Sequence, residues 1–149
     1  MKVYLATDHA GFELKEKVKE FLKKEGYEIE DCGAYVFDPE DDYPDFISKA
    51  AKAVSKYPNS KAIILGGSGQ GEAMVANKFS NVRAVVYYGN MEMISLTRQH
   101  NDANILSLGA RFLNEDEAKE AVKLWLETPF TDEERHVRRL NKIEQLEQK

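Results

Sequence analysis

Short apolar runs alternate along this chain with amphipathic stretches. The apolar runs predict five strands, over residues 2–7, 27–32, 61–66, 83–88 and 104–109. Strands that alternate with helices in this way are typical of a parallel sheet with helices on both faces. We therefore expect an α/β fold, in which a five-stranded parallel sheet is the middle layer of a three-layer α/β/α sandwich.

The amphipathic stretches place their apolar residues on one face of a helix. Pro44 suits a first helical turn, and Asn114 suits an N-cap. The residues on the predicted apolar faces are Leu14, Val18, Phe21 and Leu22; Ile47, Ala50, Ala51 and Val54; and Ala118, Ala121, Val122 and Trp125.

A last helix is predicted over about residues 131–148, after the sheet is complete. Thr131 and Glu134 have the spacing of a capping box, in which two side chains bind each other's backbone N–H groups. The apolar stripe of this helix is narrow and consists of Val137, Leu140, Ile143 and Leu146. Such a stripe can pack on its own domain or on a partner chain, and we favour the partner chain.

Composition narrows the class of protein. The 149 residues fit one domain, and 42% hydrophobic with 32% charged residues is typical of a soluble globular chain. The net charge of −5 gives no basic surplus for nucleic acid, and no segment has the roughly 20 apolar residues of a membrane helix. The first residues do not resemble a signal peptide, and the single cysteine, Cys32, excludes an intrachain disulfide and a thiolate metal cluster. We therefore expect a cytoplasmic protein, with Cys32 buried rather than nucleophilic.

The segment LGGSGQGEAMVANK, from Leu65 to Lys78, has four glycines within its first seven residues. Glycines let a backbone approach a ligand closely, and successive N–H groups at a helix N-terminus bind anions. The segment matches neither nucleotide-binding glycine pattern and follows the third strand rather than the first, so nucleotide binding is disfavoured. A tight turn needs fewer glycines, so we expect this loop to bind a small anionic ligand.

Glu72 follows the loop, in the first turn of the next predicted helix. One interpretation is an acid that stabilises the helix dipole, by up to about 1 kcal/mol. The other is a general base: removal of a proton next to a carbonyl leaves an enediolate, which the loop N–H groups and Ser68 would stabilise. The residues alone do not decide between the two.

Arg135 and Arg139 are four residues apart and share a face of the last helix, with His136 beside them. Two guanidinium groups placed in this way can bind a phosphate. The alternative, favoured when the segment is taken alone, is a solvated basic patch balanced by the acids at 132–134.

Ligands of parallel α/β sheets bind at the carboxyl ends of the strands. Asp8 and His9 follow the first predicted strand, and Arg111 follows the fifth. His100 lies between the fourth helix and the fifth strand, and we expect it at the same ligand-binding end. Asp8, the loop and Arg111 can meet only if strands one, three and five are neighbours, a condition that the sheet order 2-1-3-5-4 satisfies.

Together these segments resemble the ribose-5-phosphate isomerase B family, which also includes the galactose-6-phosphate isomerase subunits. The resemblance runs nearly end to end, and its motifs occur in the family's order. They are TDHAGFELK (7–15), DYPDF (42–46), GGSGQGEAMVANK (66–78), RAVV (83–86), RQHNDANIL (98–106), GAR (109–111) and RHVRRL (135–140).

The resemblance implies a Rossmann-like sheet in the order 2-1-3-5-4 and an aldose–ketose isomerase. Such an enzyme acts on a sugar phosphate through a cis-enediolate, with no metal and no cofactor. The resemblance further implies a homodimer with sites built from both chains, and it leaves open whether dimers pair into a tetramer. The last helix would then lie at the dimer interface.

Roles follow from the same resemblance. The catalytic residues would be Glu72 as the base, His100 as the acid that opens the sugar ring, and Ser68 beside the enediolate. Many family members have a cysteine base directly before the loop, where this chain has Gly66, whereas the other branch has a glutamate where this chain has Glu72. Arg138 has no clear counterpart. The implied substrate-binding residues are Asp8, His9, Gly67, Ser68, Gly69, Gln70, Gly71, Asn101, Arg111, Arg135 and Arg139, the last two as phosphate ligands.

Three alternatives stay open. The sugar can have six carbons, as in allose or galactose 6-phosphate, with the loops around Tyr43 and Tyr88 setting the size of the pocket. A metal isomerase would use Asp8, His9 and His100, which is a thin ligand set. A non-catalytic module on the same sheet would bind a sugar phosphate without turnover.

Overall fold

The computed structural model describes residues 1–147, and every predicted apolar run forms a strand. Among these residues, no helix is both long enough and apolar enough to cross a membrane. The strands are β1 Lys2–Thr7, β2 Glu28–Asp31, β3 Lys61–Gly66, β4 Ala84–Tyr87 and β5 Ile105–Gly109. The helices are α1 Phe12–Lys24, α2 Pro44–Lys56, α3 Gln70–Ala76, α4 Met91–Gln99, α5 Glu115–Glu127 and α6 Glu134–Leu146, and a short 3₁₀ turn, His9–Gly11, precedes α1.

All five strands are parallel, and their order is β2-β1-β3-β5-β4, which confirms the predicted order. Thr7 at the end of β1 pairs with Leu65, and Gly66 at the end of β3 pairs with Gly109 at the end of β5. The carboxyl ends of the three central strands therefore meet. We call this edge of the sheet the carboxyl edge and the opposite one the amino edge.

Helices cover both faces of the sheet, as predicted. On one face α1, α4 and α5 pack with Val18, Ile94 and Trp125, and on the other α2 and α3 pack with Ile47 and Ala76. Every residue predicted on an apolar face of α1, α2 or α5 lies in one of these two clusters or packs against it. Cys32 is buried in the second cluster, and burial raises the pKa of its thiol to about 11, so it is a small apolar residue rather than a nucleophile.

A proline and local hydrogen bonds explain where several helices and strands begin. Pro44 is the first residue of α2, and the Asn114 side chain accepts a hydrogen bond from the Glu117 N–H at 2.8 Å at the start of α5. Both confirm the predicted helix starts. The N–H of Arg83 donates to the Asn104 side chain at 2.7 Å, so β4 begins one residue later than predicted.

The capping box predicted for the last helix is wrong. The Thr131 hydroxyl donates to the carbonyl oxygen of Gln99 at 3.0 Å, at the end of α4, instead of capping its own helix. Asp132 has a φ of 58°, which takes the chain out of a helical path. α6 therefore begins at Glu134, and the last predicted position, 148, lies outside the described residues.

The apolar stripe of α6 is only partly covered by its own chain. Val137 and Leu140 are half-buried, whereas Ile143 is 49% exposed and Leu146 is 72% exposed. Because the helix repeats its apolar positions without burying the last of them, the end of α6 has an apolar surface available for a partner.

Candidate active site

The glycine loop joins β3 to α3 at the carboxyl edge. Gly69 is the N-cap of α3 and has a φ of 81°, a conformation that glycine adopts without strain. Its carbonyl oxygen accepts a hydrogen bond from the buried Ser107 hydroxyl at 2.7 Å, which fastens the loop to β5. The Ser68 hydroxyl oxygen accepts from the Gln70 N–H at 3.3 Å. The loop is therefore held in one shape by the sheet beneath it and by its own side chain.

Glu72 lies in the first turn of α3 and is only 4% exposed. Its carboxyl group lies directly against Gly66, where a Cβ atom would overlap it. Glycine at position 66 thus leaves the space that the carboxylate occupies. Many members of the family that this chain resembles have a cysteine directly before the loop. A cysteine at position 66 would occupy the space that the Glu72 carboxyl group fills here.

Burial raises the pKa of the Glu72 carboxyl, and the negative charge of Asp8 raises it further, while backbone N–H groups of Glu72 and Gly69 oppose the shift. An acid that only stabilised a helix dipole would have no need of burial. A buried carboxylate with a raised pKa is a stronger base than a solvated one. The geometry therefore favours the general-base interpretation.

Gly66→Ala tests this packing. We expect a cost of about 1–3 kcal/mol in the free energy of unfolding, because the new methyl group overlaps the Glu72 carboxyl. The turnover number should fall as the carboxylate is displaced. Denaturant unfolding of the single variant, of Glu72→Ala and of the double variant measures the coupling. An equal cost in the Glu72→Ala background would show that the two residues do not compete for space.

Asp8 and His9 follow β1 at the same edge. Asp8 is 6% exposed, and its carboxylate accepts a hydrogen bond from the Ala10 N–H at 2.9 Å. The Asp41 Oδ1 atom lies 2.7 Å from the ring Nδ1 of His9 and 3.0 Å from its main-chain nitrogen. The hydrogen bond with Asp41 raises the pKa of the His9 imidazole, although partial burial opposes the shift.

Arg111 brings a positive charge to the loop. Its guanidinium lies over Gly67, where a Cβ atom would come within 3.0 Å of Nη1, and its main-chain N–H donates to the Gly67 carbonyl at 3.0 Å. The same guanidinium is close enough to His9 to lower the pKa of that ring in opposition to Asp41. Asp8, His9, the loop, Glu72 and Arg111 are thus brought together at one edge, and we call them, with Asp41, the carboxyl-edge cluster.

Two further residues reach this edge. The Tyr43 hydroxyl lies against Gly71, and Asp41 contacts His9 from the loop between β2 and α2. Tyr43 belongs to the DYPDF motif, so the sequence marks its segment. Asp41 lies just before that motif, and only the folded loop shows its contact with His9.

His100 does not lie at the carboxyl edge, so that prediction is wrong. α4 runs from the end of β4 back towards the start of β5, and His100 comes directly after it. Asp102, two residues further on, pairs with the Arg83 guanidinium at 3.4 Å just before β4 begins. A residue between a helix and its following strand lies at the amino edge of a parallel sheet, whatever its chemistry.

The arginines of α6 lie at the same edge of the sheet as His100. The His100 ring stacks on the buried His136 ring, with centroids 4.4 Å apart and planes 18° apart. Burial lowers the pKa of His136, and the nearby charges of His100, Arg135 and Arg139 lower it further. We call His100, Asn101, Arg135, His136 and Arg139 the amino-edge cluster.

One chain therefore separates the predicted site residues into two clusters. β3 has six residues and spans about 20 Å between the two edges. A sugar of five or six carbons is too short to touch both clusters of one chain. The set of Asp8, His9 and His100, considered for a metal isomerase, is likewise divided between the edges, although the donor atoms of Asp8, His9 and Asp41 lie within 4.8 Å of one another.

The fold and the carboxyl-edge cluster together define a class of protein. A parallel α/β domain with a buried carboxylate beside a glycine loop, and with basic groups around it, has the arrangement of an enzyme that moves protons on a small anionic substrate.

Comparisons with known proteins give the family. Residues 3–143 match the family model described as Ribose/Galactose Isomerase. Ribose-5-phosphate isomerase B of Mycobacterium tuberculosis is 40% identical over 147 residues, covering 99% of this chain and 90% of the relative. The protein belongs to the ribose/galactose isomerase family.

Solved structures agree with this assignment. Ribose-5-phosphate isomerase B of Mycoplasma genitalium with bound ribulose 5-phosphate superposes with a TM-score of 0.95 at 36% identity, covering 99% of this chain and 97% of that one. The Clostridium thermocellum enzyme superposes with a TM-score of 0.93 at 41% identity and the same coverage.

Proposed function

We propose that this protein interconverts D-ribose 5-phosphate and D-ribulose 5-phosphate by proton transfer through a cis-enediolate, with Glu72 as the base. The buried Glu72 carboxyl against Gly66, inside the glycine loop, is the observation that carries the proposal. The relatives named above are ribose-5-phosphate isomerases, and one of them binds the proposed product.

In the proposed reaction, Glu72 removes the proton on C2 of the open-chain aldose. The electrons of that C–H bond form the C1–C2 double bond, and the carbonyl electrons move to the C1 oxygen. The hydroxyl proton on the C2 oxygen passes to the C1 oxygen across the cis-enediolate. Glu72 then returns its proton to C1, and the electrons left on the C2 oxygen form the ketone. A carboxylate kept away from water by burial suits this exchange, because its raised pKa brings its basicity closer to that of the enediolate.

The loop would stabilise the enediolate between the two proton transfers. N–H groups in the first turn of a helix have no backbone partner in that helix, and Ser68, whose hydroxyl oxygen accepts from Gln70, keeps its own hydrogen to donate beside them. Because Gly69 and Ser107 fix the loop, these donors need little reorganisation when the negative charge develops. The remaining proposed substrate contacts of this edge are Asp8, His9, Gly67, Gly69, Gln70, Gly71 and Arg111.

Ring opening and phosphate binding would come from the amino-edge cluster of a second chain. His100 would assist ring opening with Asn101 beside it, and Arg135 and Arg139 would bind the phosphate. The separation of the two clusters in one chain supports a homodimer whose two sites each combine both clusters. The exposed apolar end of α6 supports a place for this helix at the dimer interface.

The proposal extends to the domain organisation, the cellular compartment and the cofactor requirement of the enzyme. We propose that residues 1–149 act as one domain, in the cytoplasm, on a small sugar phosphate and without a metal or cofactor. Pairing of dimers into tetramers is open to measurement by light scattering.

Arg139→Ala is expected to raise KM for ribose 5-phosphate by about 10–100-fold with a smaller change in kcat, because a charge-assisted bond to phosphate binds substrate and transition state alike. Arg138→Ala is the matched control, since Arg138 is also exposed on α6. Steady-state kinetics of both variants measures the difference. Equal effects at the two positions would remove Arg139 from the phosphate site.

The choice of sugar is tested by kcat/KM for ribose 5-phosphate, allose 6-phosphate and galactose 6-phosphate side by side. The proposal expects the highest value for the pentose. A higher kcat/KM for a six-carbon sugar would mean that the same proton-transfer reaction acts on a different substrate. Tight binding of these sugar phosphates without turnover would mean that the protein is a binding module.

A further inference from the structure

Asp41 holds His9 through one oxygen atom. Its Oδ1 accepts the main-chain N–H of His9 at 3.0 Å and lies 2.7 Å from the ring Nδ1. An ionised carboxylate has no proton to give, so Nδ1 must carry the hydrogen of this bond. Nε2 is then the ring nitrogen left for another partner, and it carries a hydrogen only when the ring is charged.

The loop between β2 and α2, which carries Asp41, is held in place near His9. Phe37 meets the His9 ring edge-on, with centroids 6.5 Å apart. At the start of the segment, the buried Lys15 ammonium donates to Asp31 and to the Ala34 carbonyl, both at 2.7 Å. The contact between Asp41 and His9 is therefore made by an anchored segment rather than by a free side chain.

The second oxygen of Asp41 is unusual. The Asp41 side chain is 8% exposed, and its Oδ2 atom is buried with no hydrogen-bond partner among residues 1–147. A buried carboxylate oxygen without a donor is unfavourable for folding, so an apolar or neutral residue would serve stability better. A carboxylate in this environment is more readily explained by function than by stability.

Acidic groups outweigh basic ones in the strongest interactions of the His9 ring. The charged groups that act most on the imidazole include Asp8, Asp41 and Arg111, while Glu13, Glu16 and Lys17 of α1 line a pocket with the ring. Two carboxylates against one guanidinium favour the protonated ring. Arg111 lies over Gly67 of the glycine loop, so the same arrangement faces the place where substrate is proposed to bind.

We propose that Asp41 is a positioning residue, which fixes the His9 ring through Nδ1 and keeps it protonated so that Nε2–H is presented to an oxygen atom of the sugar phosphate. This inference rests on the proposed function. It assigns Asp41 no contact with the reacting carbons. Its effect is to supply, near neutral pH, a charged donor, where an unpaired histidine would be mostly neutral.

Side-chain ¹⁵N NMR tests the pairing without any turnover. The chain has three histidines, and His9→Gln identifies the signals of His9. In the wild type we expect His9 to titrate above the ordinary range and its neutral form to carry the proton on Nδ1. Asp41→Asn should lower the pKa of His9 and leave the titrations of His100 and His136 unchanged. Glu40→Gln, which removes an exposed carboxylate one residue away, is the matched control and should change none of them.

Kinetics tests the consequence for the reaction. For Asp41→Asn, kcat/KM with ribose 5-phosphate should be close to the wild type near pH 5.5 and about tenfold lower at pH 7.5, mainly through KM, because the variant loses the Nε2–H donor as pH rises. A purely structural role would lower activity equally at both pH values.

The outcomes separate this inference from the proposed function. An active wild type with unchanged His9 titration in Asp41→Asn, or with a shifted titration but no pH-dependent loss of kcat/KM, overturns the role of Asp41 alone. A wild type that does not convert ribose 5-phosphate overturns the proposed function and this inference with it.

Discussion

Glu72→Gln is expected to lower kcat for ribose 5-phosphate by about 10²–10⁴-fold while KM stays close to that of the wild type. The amide has nearly the shape of the carboxyl group, so the buried place against Gly66 stays filled. The amide cannot accept the C2 proton, so the removal of that proton is no longer catalysed. Steady-state kinetics with the purified variant measures this effect.

Stability separates the two interpretations of Glu72. Its pKa is raised by burial, so the ionised form is disfavoured in the folded state. Above the folded pKa, Glu72→Gln should therefore increase the free energy of unfolding, and the gain should disappear as pH falls below the ordinary pKa of a glutamate, where both states are protonated.

A dipole-stabilising acid predicts the opposite sign. Glu92, an exposed acid in the first turn of α4, is the matched control. Glu92→Gln should leave activity intact and cost a few tenths of a kcal/mol at neutral pH, about the lower limit for a dipole effect. A Glu72→Gln protein that behaves like Glu92→Gln in both respects would eliminate the proposed base.

Mixing two inactive variants is expected to restore activity. Glu72→Gln damages the carboxyl-edge cluster, and a chain with His100→Asn and Arg139→Ala damages the amino-edge cluster. If each site combines the carboxyl-edge cluster of one chain with the amino-edge cluster of the other, every heterodimer has one intact site. Random exchange of chains at equal concentrations then restores about a quarter of the wild-type sites. Activity after co-refolding or co-expression measures this recovery.

The control for this mixture uses two variants of the same cluster. Glu72→Gln mixed with Arg111→Ala leaves a defect in both sites of every heterodimer, so no activity should return. If the chains are shown to exchange and neither mixture recovers activity, each site belongs to one chain. No site would then combine the carboxyl-edge cluster of one chain with the amino-edge cluster of the other.

Most of the fold was predictable because the apolar pattern of this chain is regular. The convergence of Asp8, the loop and Arg111 requires that β1, β3 and β5 are neighbours, and the full strand order is the one that the family resemblance implies. The start of α6 was not predictable from local pattern. Thr131 has the right spacing for a cap, yet its hydroxyl bonds to Gln99, and such a competing partner exists only after folding.

The candidate site was predictable in part. Glu72 and the glycine loop are adjacent in sequence, so their proximity required no knowledge of the fold. The chemistry of His100 suggests the ligand-binding end, but its position decides otherwise, because a residue that follows a helix and precedes a strand lies at the amino edge. The contact of Asp41 with His9 joins segments 32 residues apart, and no spacing rule indicates it.

Proton NMR of the purified protein with ribose 5-phosphate, in D₂O that contains EDTA, tests the central claim most directly. We expect ribulose 5-phosphate to appear, with deuterium at C1 to the extent that the proton on Glu72 exchanges with solvent before its return. We expect Glu72→Gln to abolish both conversion and exchange. Conversion that survives in Glu72→Gln would contradict Glu72 as the base. No conversion by the wild type, or conversion only when metal exceeds the EDTA, would contradict metal-free isomerisation of this sugar.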